Sequence, residues 1–299
     1  MLISVVVPHL NQPEFLETGL AALHAQEGVT SEIEIIVVDN GSRQLPESIC
    51  AKWDNVRLTS EPTPGPGPAR NRGVALARGE LLAFIDADCK AHPGWLSAIE
   101  KEFADPECTI IGGDVRVGYV DPSSPSFLEP YESIYSYRNN EHIADGFSGT
   151  GNLAARASVV KEVGPFAGIA IAEDRDWGLR AGKLGFKIRY IPDMIVYHPA
   201  RKTFEELTRK WDRHIAHDYE WMRSRPLGGL KWLLRAIAVA GSPALELRTV
   251  LTSNRVSGAY ERLLAMLCLA RIRLYRGQRM LSLFFEGNSH SVSGAWNRK

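Results

Sequence analysis

Leu81-Leu82-Ala83-Phe84-Ile85-Asp86-Ala87-Asp88 is the segment that decides the fold class of this chain. Its apolar run predicts a strand over residues 80–85 that is buried on both faces. Two aspartates follow that strand directly. Sheets of parallel strands bind ligands at the carboxyl ends of those strands, so the segment predicts a ligand-binding edge.

Strand and helix patterns alternate on both sides of that segment. Apolar runs predict further strands over residues 3–8, 32–38, 56–60 and 109–117. Helical periodicity and helix-start signals predict helices over residues 13–26, 69–77 and 93–103. This alternation predicts an α/β fold, a Rossmann-like and mainly parallel sheet with flanking helices.

Polar clusters follow three of the predicted strands. Pro8-His9-Leu10-Asn11 follows the first strand, Asp39-Asn40-Gly41-Ser42 the second, and Asp86-Ala87-Asp88 the fourth. The carboxyl ends of parallel strands meet at one edge of a sheet, so these side chains are expected to form a single site.

Asp86 and Asp88 are candidate metal ligands. Residues i and i+2 at a strand end can point the same way, and neighbouring carboxylates repel unless a cation lies between them. Oxygen ligands suit Mg²⁺ or Mn²⁺, and such a metal would neutralise charge on a departing nucleoside diphosphate. An Asp-x-Asp pattern alone is weak evidence, since exposed turns often contain it. The position after a buried strand is what strengthens the interpretation.

Three further segments have both a structural and a functional interpretation. Gly65–Gly73 is a Pro/Gly loop leading into a helix N-terminus, either a rigid linker or an anion site within reach of Arg70. Glu173 and Asp174 open a helix, where acids either complement the helix dipole or supply a general base. His198 follows the apolar run 194–197 and is either a structural histidine or a ligand of the same metal.

The charge is distributed unevenly along the chain. The whole sequence has 35 Lys and Arg and 35 Asp and Glu, yet residues 201–299 contain 18 basic and 8 acidic residues. Helical patterns dominate this region, over residues 204–223, 230–240 and 260–276. A basic helical extension containing tryptophans suits an anionic surface such as a membrane, or is simply an appendage with a solvated basic face.

Composition and the termini exclude several classes of protein. A hydrophobic fraction of 44% and a charged fraction of 23% are ordinary for a globular chain. The N-terminal segment predicts a strand rather than a signal peptide, and no stretch reaches the ~18 apolar residues of a membrane span. Four scattered cysteines predict reduced thiols in a cytoplasmic protein, either free in the cytoplasm or peripheral on the inner face of the membrane.

The ordered series of motifs resembles the family 2 glycosyltransferases with the GT-A fold. The series runs Val5-Val6-Val7-Pro8-His9-Leu10-Asn11, Val37-Val38-Asp39-Asn40-Gly41-Ser42, Gly67-Pro68-Ala69-Arg70-Asn71-Arg72-Gly73, Phe84-Ile85-Asp86-Ala87-Asp88, Gly149-Thr150-Gly151-Asn152-Leu153-Ala154, Val163-Gly164-Pro165-Phe166 and Glu173-Asp174. Each motif is short, but their order over residues 1–200 is specific. The resemblance implies a GT-A domain over residues 1–200, with a nucleotide-binding half over 1–117 and an acceptor half over 118–200, followed by the extension at 201–299.

The resemblance also implies roles for individual residues. The donor nucleotide would contact Pro8, His9, Asn11, Asp39, Arg70, Asn71 and Asp86. A divalent metal, Mn²⁺ or Mg²⁺, would bind Asp88, Asp86 and His198. Asp174 would be the general base with Glu173 beside it, and the acceptor would contact Gly151, Asn152 and Trp177.

The activity implied is inverting transfer of a sugar from a nucleotide-sugar donor to a hydroxyl of a glycan or lipid-linked acceptor, in polysaccharide or glycoconjugate synthesis. UDP is the expected nucleotide, with GDP and dTDP as alternatives. His9 stands where a tyrosine is common in the family, and the Gln-x-x-Arg-Trp motif of processive synthases is absent. No nucleic acid partner is expected, and peripheral membrane contact through residues 201–299 is a further hypothesis.

Other classes of protein fit less well. A sugar-1-phosphate nucleotidyltransferase needs a Gly-rich, Arg-containing loop after the first strand, and a nicotinamide dehydrogenase needs Gly-x-Gly-x-x-Gly there. Residues 8–11 provide neither. The non-enzymatic alternative is a degenerate transferase that acts as a glycan-binding or scaffold subunit, and the intact acidic pairs argue against it.

Overall fold

The computed structural model describes residues 1–169 and 171–286. Within these residues the chain forms two compact units. The first comprises residues 1–118 and 137–199, and the second comprises residues 119–136 together with the chain from residue 200 onward. Residues 119–136 were predicted to belong to the acceptor half of the first domain. In the structure they group with the helical second unit, because their apolar side chains pack on its helices, and the extent of the acceptor half stays a prediction.

The first unit is built on a mixed sheet. Its strands are β1 (Leu2–His9), β2 (Glu32–Asp39), β3 (Val56–Ser60), β4 (Leu81–Ile85), β5 (Lys90–Ala91), β6 (Ile110–Gly118), β7 (Asn152–Arg156) and β8 (Ile188–Pro199). Their order across the sheet is β3-β2-β1-β4-β7-β6-β8-β5. The four strands from β3 to β4 are parallel, as the alternating pattern predicts.

Helices of the whole described chain are α1 (Pro13–His24), α2 (Glu47–Cys50), α3 (Pro66–Leu76), α4 (Trp95–Phe103), α5 (Glu129–Tyr135), α6 (Asn139–Ala144), α7 (Ala157–Val163), α8 (Glu173–Lys183), α9 (Phe204–Arg223), α10 (Gly228–Gly241), α11 (Leu247–Thr252) and α12 (Gly258–Glu286). A 3₁₀ turn covers Ser242–Glu246. Helices α5 and α9–α12 belong to the second unit.

Strand β7 is the main departure from the expected sheet. No strand was predicted at residues 152–156, yet β7 lies antiparallel between β4 and β6. The segment Asn-Leu-Ala-Ala-Arg has little β-branched character, so local propensity does not reveal it. Its small, buried Ala154 and Ala155 lie in the cores on opposite faces of the sheet, and the strand depends on its pairing with β4 and β6.

Each face of the sheet is covered by apolar helices. On one face, Leu16 and Leu20 of α1 pack with Trp95 and Ile99 of α4. On the other, the buried side chains of α7 and α8 pack against β4 and β7. Helix α3 lies close to β1 because Gly73 has no side chain; a Cβ there would meet Val6 Cγ1 at 2.4 Å.

Register places the predicted polar clusters at one edge. His9 pairs with Asp39, and Asp39 in turn pairs with Ser60. Val6 pairs with Phe84, so the residues that follow β4 lie beside the end of β1. The carboxyl ends of β1, β2 and β4 therefore meet, as expected for ligand binding in an open α/β sheet.

The second unit has its own apolar core. Leu207 of α9 packs with Leu269 and Ile272 of α12, and Trp232 of α10 donates from Nε1 to the Met280 carbonyl at 2.8 Å. The helices predicted at 204–223, 230–240 and 260–276 are present, the last two longer than predicted. In the part of the chain that the structure describes, no helix has the length and apolar character needed to cross a membrane.

Candidate active site

Asp88 and His198 are brought together from distant parts of the chain. Asp88 lies in the turn after β4, and His198 lies near the end of β8, with 3.4 Å between Asp88 Oδ2 and His198 Nε2. Cys89 joins them, so that one ligand atom from each residue lies within 4.8 Å of the other two. Two of the predicted metal ligands, Asp88 and His198, therefore lie close together, and metal binding by them stays a prediction. Cys89 was not among the predicted ligands.

The hydrogen bonds of His198 orient its ring. Nδ1 lies 2.8 Å from the Pro199 carbonyl oxygen and 2.9 Å from the Tyr137 hydroxyl. A carbonyl oxygen only accepts, so Nδ1 carries the proton in that contact. In the neutral form of the ring, Nε2 then presents its lone pair to the carboxylate of Asp88. Two acceptors facing one another suit a shared cation, and an oxygen–nitrogen set of this kind fits Mn²⁺.

The environment of Asp88 also favours a cation. Burial is the largest influence on this carboxyl and raises its pKa; the Asp86 carboxylate adds to the rise, while His198 opposes it. Gln12 Nε2 lies 3.5 Å from Asp88 Oδ2. A bound cation would relieve both the desolvation and the repulsion from Asp86.

Asp86, the third predicted metal ligand, is held by Arg70, and its binding to the metal stays a prediction. The buried Arg70 side chain donates from Nη2 to Asp86 Oδ1 at 2.6 Å and from Nη1 to Glu173 Oε1 at 2.9 Å. Arg70 thus joins the end of β4 to the first turn of α8. The fixed fork of a guanidinium suits this double contact, which a lysine cannot reproduce.

The side chains of Asp39 and His9 are in hydrogen-bonding contact at the carboxyl ends of β1 and β2. Both side chains are buried, and His9 Nδ1 lies 3.0 Å from Asp39 Oδ1. The other Asp39 oxygen accepts from the backbone nitrogens of Gly41 at 3.1 Å and Ser42 at 3.0 Å. Burial acts to raise the pKa of Asp39, but these hydrogen bonds outweigh it and the pKa is lowered. The buried His9 ring holds Asp39 in place.

Two predicted nucleotide-binding asparagines support loops. Asn71 donates to and accepts from the backbone of Phe166, each at 2.8 Å, so both ends of its amide are engaged. Asn11 has a positive φ of 53° and ties the first polar cluster to the second through Ser42 and Arg43. Pro8, the first residue of the first polar cluster, is half-buried.

Asp174, the predicted general base, lies at the start of helix α8. Asp174 is half-buried in the first turn, and its Oδ1 lies 2.7 Å from the Arg175 backbone nitrogen. Trp177, three residues on, is 1% exposed, stacks on Phe166 with ring centroids 5.2 Å apart and donates to the Gly164 carbonyl. The indole of Trp177 is therefore a core side chain in this structure, and its predicted contact with the acceptor stays a prediction.

Gly151 and Asn152 have different surroundings. A Cβ on Gly151 would lie 2.7 Å from Asp86 Oδ2, so Gly151 adjoins the acidic edge. Asn152 is 0% exposed and bridges three elements: its Oδ1 accepts from Trp95 Nε1, and its Nδ2 donates to the carbonyls of Asp114 and Met194. These hydrogen bonds give Asn152 a structural role, and its predicted contact with the acceptor stays a prediction.

Sequence reasoning missed Cys89, Tyr137 and the bridging role of Arg70. Cys89 is adjacent to Asp88, which is a signal, but its approach to His198 depends on β8. Tyr137 has a positive φ of 55° and stacks on His198 at 4.5 Å between ring centroids. Nothing in the sequence near Tyr137 indicates that contact.

Comparison with known protein families identifies the chain. The model of glycosyl transferase family 2 matches residues 4–164. The chain belongs to that family. It is 33% identical over 230 residues to glycosyltransferase AglE of Haloferax volcanii, across 75% of this chain and 75% of that protein. The chain is thus a glycosyltransferase.

Solved structures show that the fold is GT-A. The mannosyltransferase PcManGT from Pyrobaculum calidifontis, in complex with GDP-Man and Mn²⁺, is similar with a TM-score of 0.58 and 18% identity, covering 99% of this chain and 88% of that one. S. aureus TarS 1-349, in complex with UDP-GlcNAc, gives a TM-score of 0.53 and 17% identity, covering 96% and 93%. At these identities the likeness concerns the fold.

Proposed function

We propose that this glycosyltransferase transfers a sugar from a nucleotide-sugar donor to a hydroxyl of a glycan or lipid-linked acceptor, with inversion and with a divalent metal. The observation that carries the proposal is the convergence at one sheet edge of Asp88 with His198 and of Arg70 with Asp86 and Glu173. Mn²⁺ or Mg²⁺ held by Asp88 and His198 would stabilise charge on the leaving diphosphate.

The protein's own residues divide the remaining tasks. Asp39, held by His9, and the neighbouring Pro8 and Asn11 would bind the nucleoside. Arg70 would keep Asp86 in place for the donor and would set the position of α8 through Glu173. These roles rest on the hydrogen bonds of the folded chain, which orient each group before the substrate arrives.

Asp174 is the proposed general base. It is carried on the helix that Arg70 anchors, and it is half-buried rather than locked in an ion pair within the described residues. It would take the proton from the acceptor hydroxyl as that oxygen attacks the anomeric carbon, a contribution of ~10²–10⁴-fold. Asp174→Asn should lower kcat by that factor with normal folding. Asp176→Asn, on the same helix but paired with Arg180, is the control and should stay near wild type.

The donor nucleotide is the first property to measure. Similar structures contain GDP-Man in one case and UDP-GlcNAc in the other, so both nucleotides belong in the panel with CDP and dTDP. A ligand at ~100 times its Kd adds about 2.7 kcal/mol, which raises the thermal midpoint by several degrees. Each nucleotide is tested with and without Mn²⁺ on wild type, Asp88→Asn and the control Asp193→Asn, an exposed carboxylate of the same strand as His198.

The result expected is a metal-dependent shift with one nucleotide that persists in Asp193→Asn and is lost in Asp88→Asn. A shift of equal size in Asp88→Asn would remove this residue from the metal site. Absence of any shift, together with absence of turnover, would favour a glycan-binding subunit over an enzyme. Peripheral contact of residues 201–299 with a membrane would bring the enzyme to a lipid-linked acceptor.

A further inference from the structure

Helix α10 exposes an apolar face to solvent. Leu227, Leu230, Leu234 and Ile237 are 71%, 56%, 60% and 66% exposed. Their spacing of three and four residues puts them on one side of the helix. We call these four residues the α10 apolar face. Isolated exposed leucines are ordinary, but four in one stripe are a feature that marks interaction surfaces.

The buried side of the same helix is fully occupied. Trp232 and Ala236 are buried against α9 and α12, and Trp232 donates its indole hydrogen to Met280. The α10 apolar face is therefore not needed for the core of the second unit. Leu227, at its start, has a positive φ of 57°, an unfavourable backbone conformation for leucine that keeps an apolar side chain in solvent.

The sequence around this face carries more basic than acidic residues, although Arg235 is paired with Asp218 of α9. From residue 221 to residue 245 the sequence contains four basic residues, Arg223, Arg225, Lys231 and Arg235, and no aspartate or glutamate. Lys231 is exposed within the stripe itself. Trp221, 53% exposed, carries the Arg225 guanidinium 3.4 Å above its ring. Exposed aromatic and aliphatic groups with basic neighbours are typical of helices that lie in a lipid interface.

We propose that the α10 apolar face docks on an anionic lipid bilayer, with α10 lying in the interface plane. The helix has 14 residues, so its length of about 21 Å is shorter than the hydrocarbon core and suits a parallel rather than a spanning orientation. Anionic headgroups complement the exposed Lys231 and the exposed Arg225 that lies over Trp221, and the four apolar side chains enter the acyl boundary.

A second copy of this chain is a poorer occupant. Symmetric dimers place the same patch of each subunit against the other. Lys231 and its basic neighbours would then face an equally basic surface, and like charges across an interface oppose association. The basic charge near the α10 apolar face therefore favours an anionic lipid surface over a second copy of this chain.

Vesicle co-sedimentation of the full chain tests the proposal. Wild type is expected to bind vesicles of mixed phosphatidylcholine and phosphatidylglycerol. Its binding to pure phosphatidylcholine vesicles, or to the mixed vesicles at high salt, should be weaker by about fivefold for each basic residue that contacts the headgroups. Leu234→Ser/Ile237→Ser should lower the partition coefficient by about 100-fold, about tenfold for each inserted side chain. Lys231→Glu should lower binding only to the anionic vesicles.

The matched control is Val120→Ser/Leu184→Ser, which removes two exposed apolar side chains elsewhere on the chain and should leave binding unchanged. All variants should retain the wild-type thermal midpoint, because the substituted side chains are exposed. Equal binding by wild type and Leu234→Ser/Ile237→Ser would overturn the proposal. So would a lipid-free dimer, seen by sedimentation velocity, that the same double variant dissociates. Neither result bears on nucleotide binding, so the proposed transferase function is tested separately.

Discussion

Replacing Asn152 by leucine separates a structural role from a substrate contact. The side chain makes three buried hydrogen bonds, to Trp95 Nε1 at 2.8 Å and to the carbonyls of Asp114 and Met194 at 2.9 Å each. Leucine has nearly the same shape as asparagine but offers neither a donor nor an acceptor. Asn152→Leu therefore leaves one buried N–H without its acceptor and two carbonyls without one of their donors.

The expected cost follows from those three groups. An orphaned buried N–H costs about 1–3 kcal/mol, and each carbonyl that loses a donor costs about 0.5–1.5 kcal/mol. The sum, about 2–6 kcal/mol, is a large part of the 5–15 kcal/mol that stabilises an average protein. Asn152→Leu should thus lower the midpoint of urea denaturation strongly, and the variant is expected to be partly unfolded at 37 °C.

Urea denaturation followed by circular dichroism measures this cost. Asn140→Leu is the control, because Asn140 is exposed on α6 and its replacement should change stability by less than about 0.5 kcal/mol. Trp95→Phe alone should cost about 1–2 kcal/mol, and the double variant should cost less than the sum of the two single variants, since both remove the same bond.

One pattern of results would refute the structural role. If Asn152→Leu kept wild-type stability but raised the acceptor KM, the asparagine would contact the acceptor and the three hydrogen bonds would contribute nothing. Additive costs in the cycle with Trp95→Phe would refute the specific bond between the two side chains.

Two other substitutions test the acidic edge and the helical unit. Gly151→Ala places a methyl 2.7 Å from Asp86 Oδ2, which should displace that carboxylate from Arg70. The variant should lose about 1–3 kcal/mol of stability and show weaker donor binding in the thermal-shift panel. Gly182→Ala, with open space around it, is the control, and equal behaviour of the two variants would contradict the predicted crowding at Gly151. Burial first, and then Arg201, lowers the pKa of Lys210 to about 8. Because the folded pKa lies below the unfolded one, the protonated lysine destabilises the fold below pH 8, and this cost is relieved as the pH rises from about 8 towards 10.5. Lys210→Met should therefore stabilise the chain at pH 7 by about 1 kcal/mol, after allowance for partial exposure, and should flatten the rise of stability over that pH range. Urea midpoints at pH 7 and pH 10 measure both effects. A destabilised variant would show that the Lys210 ammonium is well paired in the folded chain.

Much of the first unit was predictable because its signals are local. Strand β4 is an unbroken apolar run, and the turns after β1 and β2 contain residues with strong turn preferences, so neighbours in the sequence suffice to place them. The parallel arrangement of β1 to β4 follows from alternation of strands and helices alone. The same local motifs, taken in order, were enough to indicate the family.

Strand β7 and the assignment of residues 119–136 were not predictable in that way. The alanine-rich segment of β7 becomes a strand because β4 and β6, on either side of it, offer backbone groups for hydrogen bonding. Residues 119–136 group with α9–α12 because Leu128 and Tyr131 find their apolar partners there, more than a hundred and thirty residues away in the case of Cys268.

For the site, the sequence by itself determined which residue types stand at the sheet edge: Asp39, Asp86 and Asp88 after strands, and Glu173 and Asp174 at a helix start. The tertiary structure alone decided what each of them touches. It joined Asp88 to Cys89 and His198, placed Arg70 between Asp86 and Glu173, and buried Trp177 and Asn152 in the core. The physical reason is that turn and strand preferences act between neighbours, whereas burial and hydrogen-bond partners are set by residues that only folding brings close.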